Sequence, residues 1–79
     1  MALTPKEILN AFLNKQVLII LNDADYTEIT GKLISFDDFV NLVLDEAQIT
    51  KTRDETKQTI SMPSLWLSGY SIAVITLNE

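Results

Sequence analysis

The residues best equipped for chemistry lie together in "GKLISFDDFVNLVLDE", residues 31 to 46. Asp37 and Asp38 are adjacent carboxylates flanked by Phe36 and Phe39, with Asn41 close behind and Asp45 and Glu46 further along. Such a density of carboxylates suits a hard divalent cation, or the acid and base of a glycoside hydrolase. Asn41 carries a donor and an acceptor on one planar amide, and Phe39 offers a flat ring. Each residue also has a plainer use. Most aromatics are buried, asparagine commonly bonds backbone at a turn, and Asp38 reads as a solvated loop charge.

Composition removes much of the enzymatic reading. Histidine and cysteine are both absent, which excludes zinc fingers, Ser–His and Cys–His nucleophile pairs, and disulfides. A chain of 79 residues is one domain, 1–79, and is too small to enclose a deep cleft. No cofactor or small-molecule substrate is expected. Lys and Arg number 6 against 11 Asp and Glu, a net charge of −5. Binders of duplex DNA backbone are usually basic, because phosphate neutralisation supplies most of their affinity. Recognition of a few unpaired bases stays open. Absence of cysteine fits an intracellular address, and neither a signal peptide nor a membrane span is legible.

The elements that must position the cluster follow from spacing. Thr4, Pro5 and Glu7 spell a capped helix start, and Ile8, Leu9, Phe12 and Leu13 recur at helical spacing, giving a helix over about 4–13. "QVLIIL", residues 16 to 21, is too short for another helix and reads as a buried strand. "NDAD", residues 22 to 25, is turn chemistry. A second strand is expected from Tyr26 to Phe36, with Gly31 inside it as a bulge or sharp bend. The third begins near Val40 and runs to a charged hairpin tip, 51–57, whose Lys51, Arg53 and Lys57 mix with Asp54 and Glu55 as a soluble end. A fourth spans Thr59 to Leu67. Ser68, Gly69 and Tyr70 connect it to the fifth, "SIAVITL". The fold class is mainly β: a short helix followed by a five-stranded, strongly bent antiparallel sheet or open barrel.

No charged residue occurs from Gln58 to Asn78. Edge strands normally carry lysine, proline or bulges that discourage pairing with another chain, and "SIAVITL" carries none of these. Either another element covers it, or it pairs with a neighbouring subunit by strand addition. Trp66 is equally suited to an interface and to the core.

The quoted stretch resembles the first signature of the Sm and Sm-like (LSm) family, over 31–44. Gly31, Leu33, Phe36, Asp37, Phe39, Asn41, Leu42 and Leu44 are the matching residues. "LWLSGYSIAVI", residues 65 to 75, resembles the second signature. The resemblance implies an Sm-like open barrel. It implies partners that are other Sm-like subunits, joined by strand addition at both sheet edges into a ring of seven, and uridine-rich single-stranded RNA at the inner rim. It further implies that Phe39 stacks on a base, that Asn41 reads the base edge and that Asp37 holds the amide, with Ser68, Gly69 and Tyr70 completing the RNA-binding set. Many members have Arg-Gly where this chain has Ser68-Gly69, so the cationic face of the base sandwich is missing; Tyr70 is a substitute stacking surface.

By the same resemblance the chain is not an enzyme. The resemblance implies membership of a nuclear ring that supports pre-mRNA splicing by holding a small nuclear RNA, and of a cytoplasmic ring that promotes mRNA decapping and decay. Two alternatives stay open: a structural ring subunit with little RNA contact of its own, and a homo-oligomeric ring of the archaeal type. An enzyme built on Asp37, Asp38, Asp45 and Glu46 is the remaining, least favoured reading.

Overall fold

A computed structural model of the chain describes residues 4–78. Helix α1, Pro5–Phe12, starts where a capping box satisfies amides that the first turn leaves free. Thr4 Oγ1 accepts from the Glu7 backbone at 3.2 Å, and Glu7 Oε1 accepts from the Thr4 backbone at 3.3 Å. One face points inward: Leu9 is fully buried, Phe12 and Leu13 are half-buried, and the rest is in water. Asn14 then takes φ 64 and turns the chain into the sheet. Its N–H donates to the Leu33 carbonyl at 2.7 Å, and Leu33 N–H donates to Lys15 at 3.1 Å, so the helix end is sewn to a strand.

Five strands follow: β1 Gln16–Leu21, β2 Glu28–Phe36, β3 Leu42–Arg53, β4 Thr56–Leu67 and β5 Ile72–Leu77. They form one antiparallel sheet in the order β4-β3-β2-β1-β5, so β4 and β5 are its two free edges. Alternating residues Val17, Ile19, Ile29, Leu33, Leu42 and Leu44 point to one side and are buried with Leu9 and Ala47. This is the period-2 burial that a one-sided sheet requires.

Strand starts depart from the sequence reading at two turns. Tyr26 has φ 47 and Val40 has φ 61, a left-handed backbone that interrupts the extended run at each turn. β2 therefore begins at Glu28 and β3 at Leu42. In the first turn Asp23 grips Thr27, accepting from its N–H at 2.9 Å and its hydroxyl at 2.6 Å. That satisfies the buried Thr27 hydroxyl. The hairpin also differs from the expected seven-residue tip. β3 and β4 stay paired to Arg53 and Thr56, and only Asp54 and Glu55 turn, with φ 51 and 64. Two consecutive positive-φ residues are the tight hairpin connection that matches strand twist; Asp-Glu is an unusual pair for it, so the sequence did not announce it. Arg53 bonds Asp25 at 3.1 Å and ties the hairpin to the β1–β2 turn.

Gly31 does mark the bend. Pairing of β2 with β3 slips between Thr30 and Lys32, opposite Glu46, which bulges at φ 50. A Cβ on Gly31 would sit 3.2 Å from both Ala47 Cα and Asp45 O, a tight contact that would press on the β3 backbone. A second slip follows between Leu33 and Ser35. Bulges bend and twist strands, and here they fold the two halves of the sheet around the core. Pro63, lacking an N–H, sits in the edge strand β4 where such a residue is tolerated.

Candidate functional site

The bend brings two short connections together: 37–41, between β2 and β3, and 68–71, between β4 and β5. The first is organised by Asp37. Its Oδ1 accepts from the backbone N–H of Phe39 at 2.9 Å and of Asn41 at 3.0 Å, and Oδ2 accepts from Asn41 Nδ2 at 3.0 Å. Those donors favour the ionised carboxylate, so its pKa lies below the ordinary value, with the Asn41 backbone the largest cause and the Asn41 amide the next. Backbone bonds Asp37 N–H to Asn41 O and Val40 N–H to Asp37 O close the loop at 3.2 and 3.1 Å.

The second connection is a 3₁₀ turn over Gly69–Ser71, capped by Ser68, whose hydroxyl oxygen accepts from Tyr70 N–H at 3.3 Å. Gly69 N–H donates to Asn41 Oδ1 at 3.0 Å. Asn41 thus has its amide nitrogen facing a carboxylate and its oxygen facing a backbone donor. The two ends cannot be exchanged. One Nδ2 hydrogen and one Oδ1 lone pair remain for a ligand. On the same two loops, Phe39 is 76 % exposed and Tyr70 is 90 % exposed.

Exposure on this scale overturns the core alternative for Phe39, and Trp66, at 80 % exposed, is likewise outside the core of this chain. Asp38 is a solvated loop charge as expected, and in water it pairs with Lys6 of α1. The four carboxylates of the enzyme reading are put to other uses or left apart. Among the described residues no group of three or more His, Cys, Asp or Glu side chains is placed to hold a metal ion.

Sequence reasoning missed Asn22. It looks like an ordinary turn residue, yet its amide donates to the Tyr70 carbonyl and its N–H to the Ser71 carbonyl, each at 2.9 Å. The bent sheet sets the end of β1 beside the start of β5, and nothing local in "LNDAD" reveals that neighbour.

This bent barrel, with a clamped asparagine and exposed aromatics on its two signature loops, is the architecture of an Sm-type protein. Residues 7–77 match the LSM domain, and the chain belongs to that family. It is 34% identical over 76 residues to LSM complex subunit LSM5 of Saccharomyces cerevisiae, spanning 90% of this chain and 80% of the yeast one. That is the fifth paralogue, which the pairing of "FDDFVN" with "LSGYSIAVI" also resembles. Among solved structures, the Pyrococcus abyssi Sm protein in complex with a uridine heptamer superposes with a TM-score of 0.78 at 25% identity, covering 96% of this chain and 100% of that one. The Pyrobaculum aerophilum SmAP1 heptamer gives 0.79 at 29% identity, covering 100% and 99%.

Proposed function

We propose that this chain is a subunit of a heptameric Sm-like ring that binds the unpaired, uridine-rich part of an RNA and catalyses nothing itself. The observation that carries the reading is the Asn41 amide, fixed at both ends by Asp37 and Gly69 on loops that also expose Phe39 and Tyr70. A base stacked on Phe39 would present its edge to the remaining Nδ2 hydrogen and Oδ1 lone pair. Uracil offers an imide N–H donor at N3 beside its 4-carbonyl acceptor, a complementary pair; cytosine offers the reverse, an N3 acceptor beside a 4-amino donor. An amide that cannot flip separates the two. Stacking on an aromatic contributes roughly 1–3 kcal/mol per base.

Asp37 holds the amide, and Ser68 and Gly69 set the turn that presents Tyr70. The likeness to a uridine-bound archaeal protein and to a yeast LSM complex subunit supports both the ligand and the ring. Other Sm-like subunits are the partners, joined by strand addition at the free β4 and β5 edges. The finer assignment is what the family resemblance implies: a nuclear ring serving pre-mRNA splicing and a cytoplasmic ring serving mRNA decapping and decay.

A second reading rests on one observation. Where many family members have arginine, Ser68 turns its oxygen back onto its own loop, and no cation occurs from Gln58 to Asn78. A subunit of this kind would complete the ring while neighbours hold the RNA. Crosslinking of an oligouridine to the assembled ring decides between them. Loss of the crosslink to this subunit in Phe39→Ala with Asn41→Ala supports base contact. An unchanged pattern assigns the subunit a structural role.

A further inference from the structure

The two site loops, 37–41 and 68–71, contain the carboxylates Asp37 and Asp38 and no cation of their own. Five of the six Lys and Arg side chains of the chain are placed away from them. Lys51, Arg53 and Lys57 belong to the far end of the β3–β4 hairpin, roughly 30 Å along the strands from Leu42 and Leu67. Lys15 and Lys32 border Leu33, Lys15 through its carbonyl, which accepts from Leu33 N–H at 3.1 Å. Leu33 precedes Asp37 by roughly 13 Å of strand, and Lys32 stands opposite Asp45. Charges more than about 10 Å apart are largely screened at physiological salt. Lys6 is the exception. Its Nζ pairs with Asp38 Oδ1, which brings a cation from α1 to the residue directly before Phe39.

The geometry points to Lys6 as the phosphate contact of the base site, a cation lent by α1 to a loop that has none. The inference rests on the RNA reading above and names the backbone contact of that same site. A base stacked on Phe39 carries its phosphate along the rim of the loop, where the exposed Asp38 would repel it. An ammonium group has three donors. One holds Asp38 and the others are left for phosphate oxygens, so one side chain both cancels the repulsion and supplies an attraction. The pair is open to water, with Lys6 59 % and Asp38 75 % exposed. Ion pairs this exposed are weakly held, so turning Lys6 from the carboxylate toward a phosphate costs little. Its backbone is fixed all the same. Thr4 and Glu7 close the capping box around it, and Leu9 one turn on is buried in the core. Lysine meets phosphate as a point charge, and a phosphate contact positions the strand without reading sequence. Base selection is thereby left to Asn41.

The test is a set of oligouridine titrations of the assembled ring between about 50 and 200 mM salt. The chains compared are wild type, Lys6→Ala, Lys6→Arg, Asp38→Asn, the Lys6→Ala/Asp38→Asn double variant, and Lys57→Ala as a control of equal charge change on the distant hairpin. Losing one phosphate contact to a single strand should lower the salt slope by about 0.7 for each copy of the chain engaged. Over that fourfold rise in salt, wild type should therefore lose about 2.6-fold more affinity than Lys6→Ala per copy engaged. Lys6→Arg should keep the wild-type slope, and so should Lys57→Ala. In the Asp38→Asn background, Lys6→Ala should still lower the slope, because the contact is to RNA and not only to Asp38. Thermal melting of each variant should match wild type, since both side chains lie in water. An unchanged slope in Lys6→Ala overturns the inference, as does an equal drop in Lys57→Ala, or a loss that vanishes once Asp38 is neutral. A wild-type ring that binds no oligouridine removes the RNA reading itself, whereas a ring that binds it without using Lys6 removes this inference alone.

Discussion

Asn41 Oδ1 accepts a hydrogen bond from the backbone N–H of Gly69 at 3.0 Å, a contact spanning 28 positions of sequence that joins the two signature loops. Its partner bond to Asp37 is local. The side chain is therefore both the bracket between the loops and the group offered to a ligand. Asn41→Ala should destabilise the chain by about 1 kcal/mol, the usual net worth of an exposed hydrogen-bond set. Oligouridine affinity should fall further than stability does. Urea unfolding and a binding titration on the same protein separate the two effects, and equal losses would mean that Asn41 is only a bracket.

Phe39 makes no contribution to the buried core, so its removal isolates the stacking surface. Phe39→Ala should leave the unfolding free energy in urea within about 0.5 kcal/mol of wild type and weaken oligouridine binding by about 1–3 kcal/mol per base engaged. Phe39→Trp should retain binding, because a larger ring still stacks. Loss of binding in the tryptophan variant at unchanged stability would point to a snug pocket in place of an open platform.

The elements were legible because they obey local rules: the Thr4–Glu7 capping box, the helical spacing of Leu9 and Phe12, and the Gly31 bend all stand where the sequence placed them. The strand starts at Glu28 and Leu42 were not legible, since they depend on Tyr26 and Val40 adopting a left-handed backbone that neither residue favours. For the site, the resemblance pointed to the Asp37–Asn41 pair, four residues apart, and the hydrogen bonds place it as expected. The Gly69 bond to Asn41 and the Asn22 grip on Tyr70 were hidden. Both are long-range contacts created by the bend, between residue types that serve equally well in any turn.

Acid should loosen the chain through Asp23 and Asp37. Both carboxyls lie below their ordinary pKa, Asp23 chiefly through the Thr27 hydroxyl and then its N–H, and Asp37 through the Asn41 backbone and amide. A depressed folded-state pKa means that the unfolded chain binds protons first as pH falls. The stabilisation is thus complete above the unfolded value of about 3.9 and is lost as pH drops through the lower folded values. Urea midpoints of the dilute chain should stay flat from neutrality to about pH 5 on this account and decline below about pH 4. Asp23→Ala and Asp37→Ala should each show a shallower decline, and variants that keep the wild-type slope would assign the acid sensitivity to other carboxylates.

Gly69 is constrained by proximity, since its φ is not positive. A Cβ there would overlap the Phe39 carbonyl oxygen and lie 2.9 Å from that of Val40. Both are backbone atoms of a loop held by Asp37, so neither can retreat like the end of a flexible side chain. Relief has to come from the 68–71 turn moving away, and that movement lengthens the Gly69–Asn41 bond. Gly69→Ala should therefore cost about 1–3 kcal/mol as overpacking does, and it should also free the Asn41 amide to rotate. Discrimination between oligouridine and oligocytidine should shrink even where overall affinity survives, because the fixed order of donor and acceptor is what distinguishes them. Asn22→Ala, which releases the same turn from its other side without a clash, should reduce that discrimination in the same direction with a smaller loss of stability. Binding of both oligomers to the two variants checks the argument; a variant that loses stability while keeping full uridine preference would show that the amide is held by Asp37 alone.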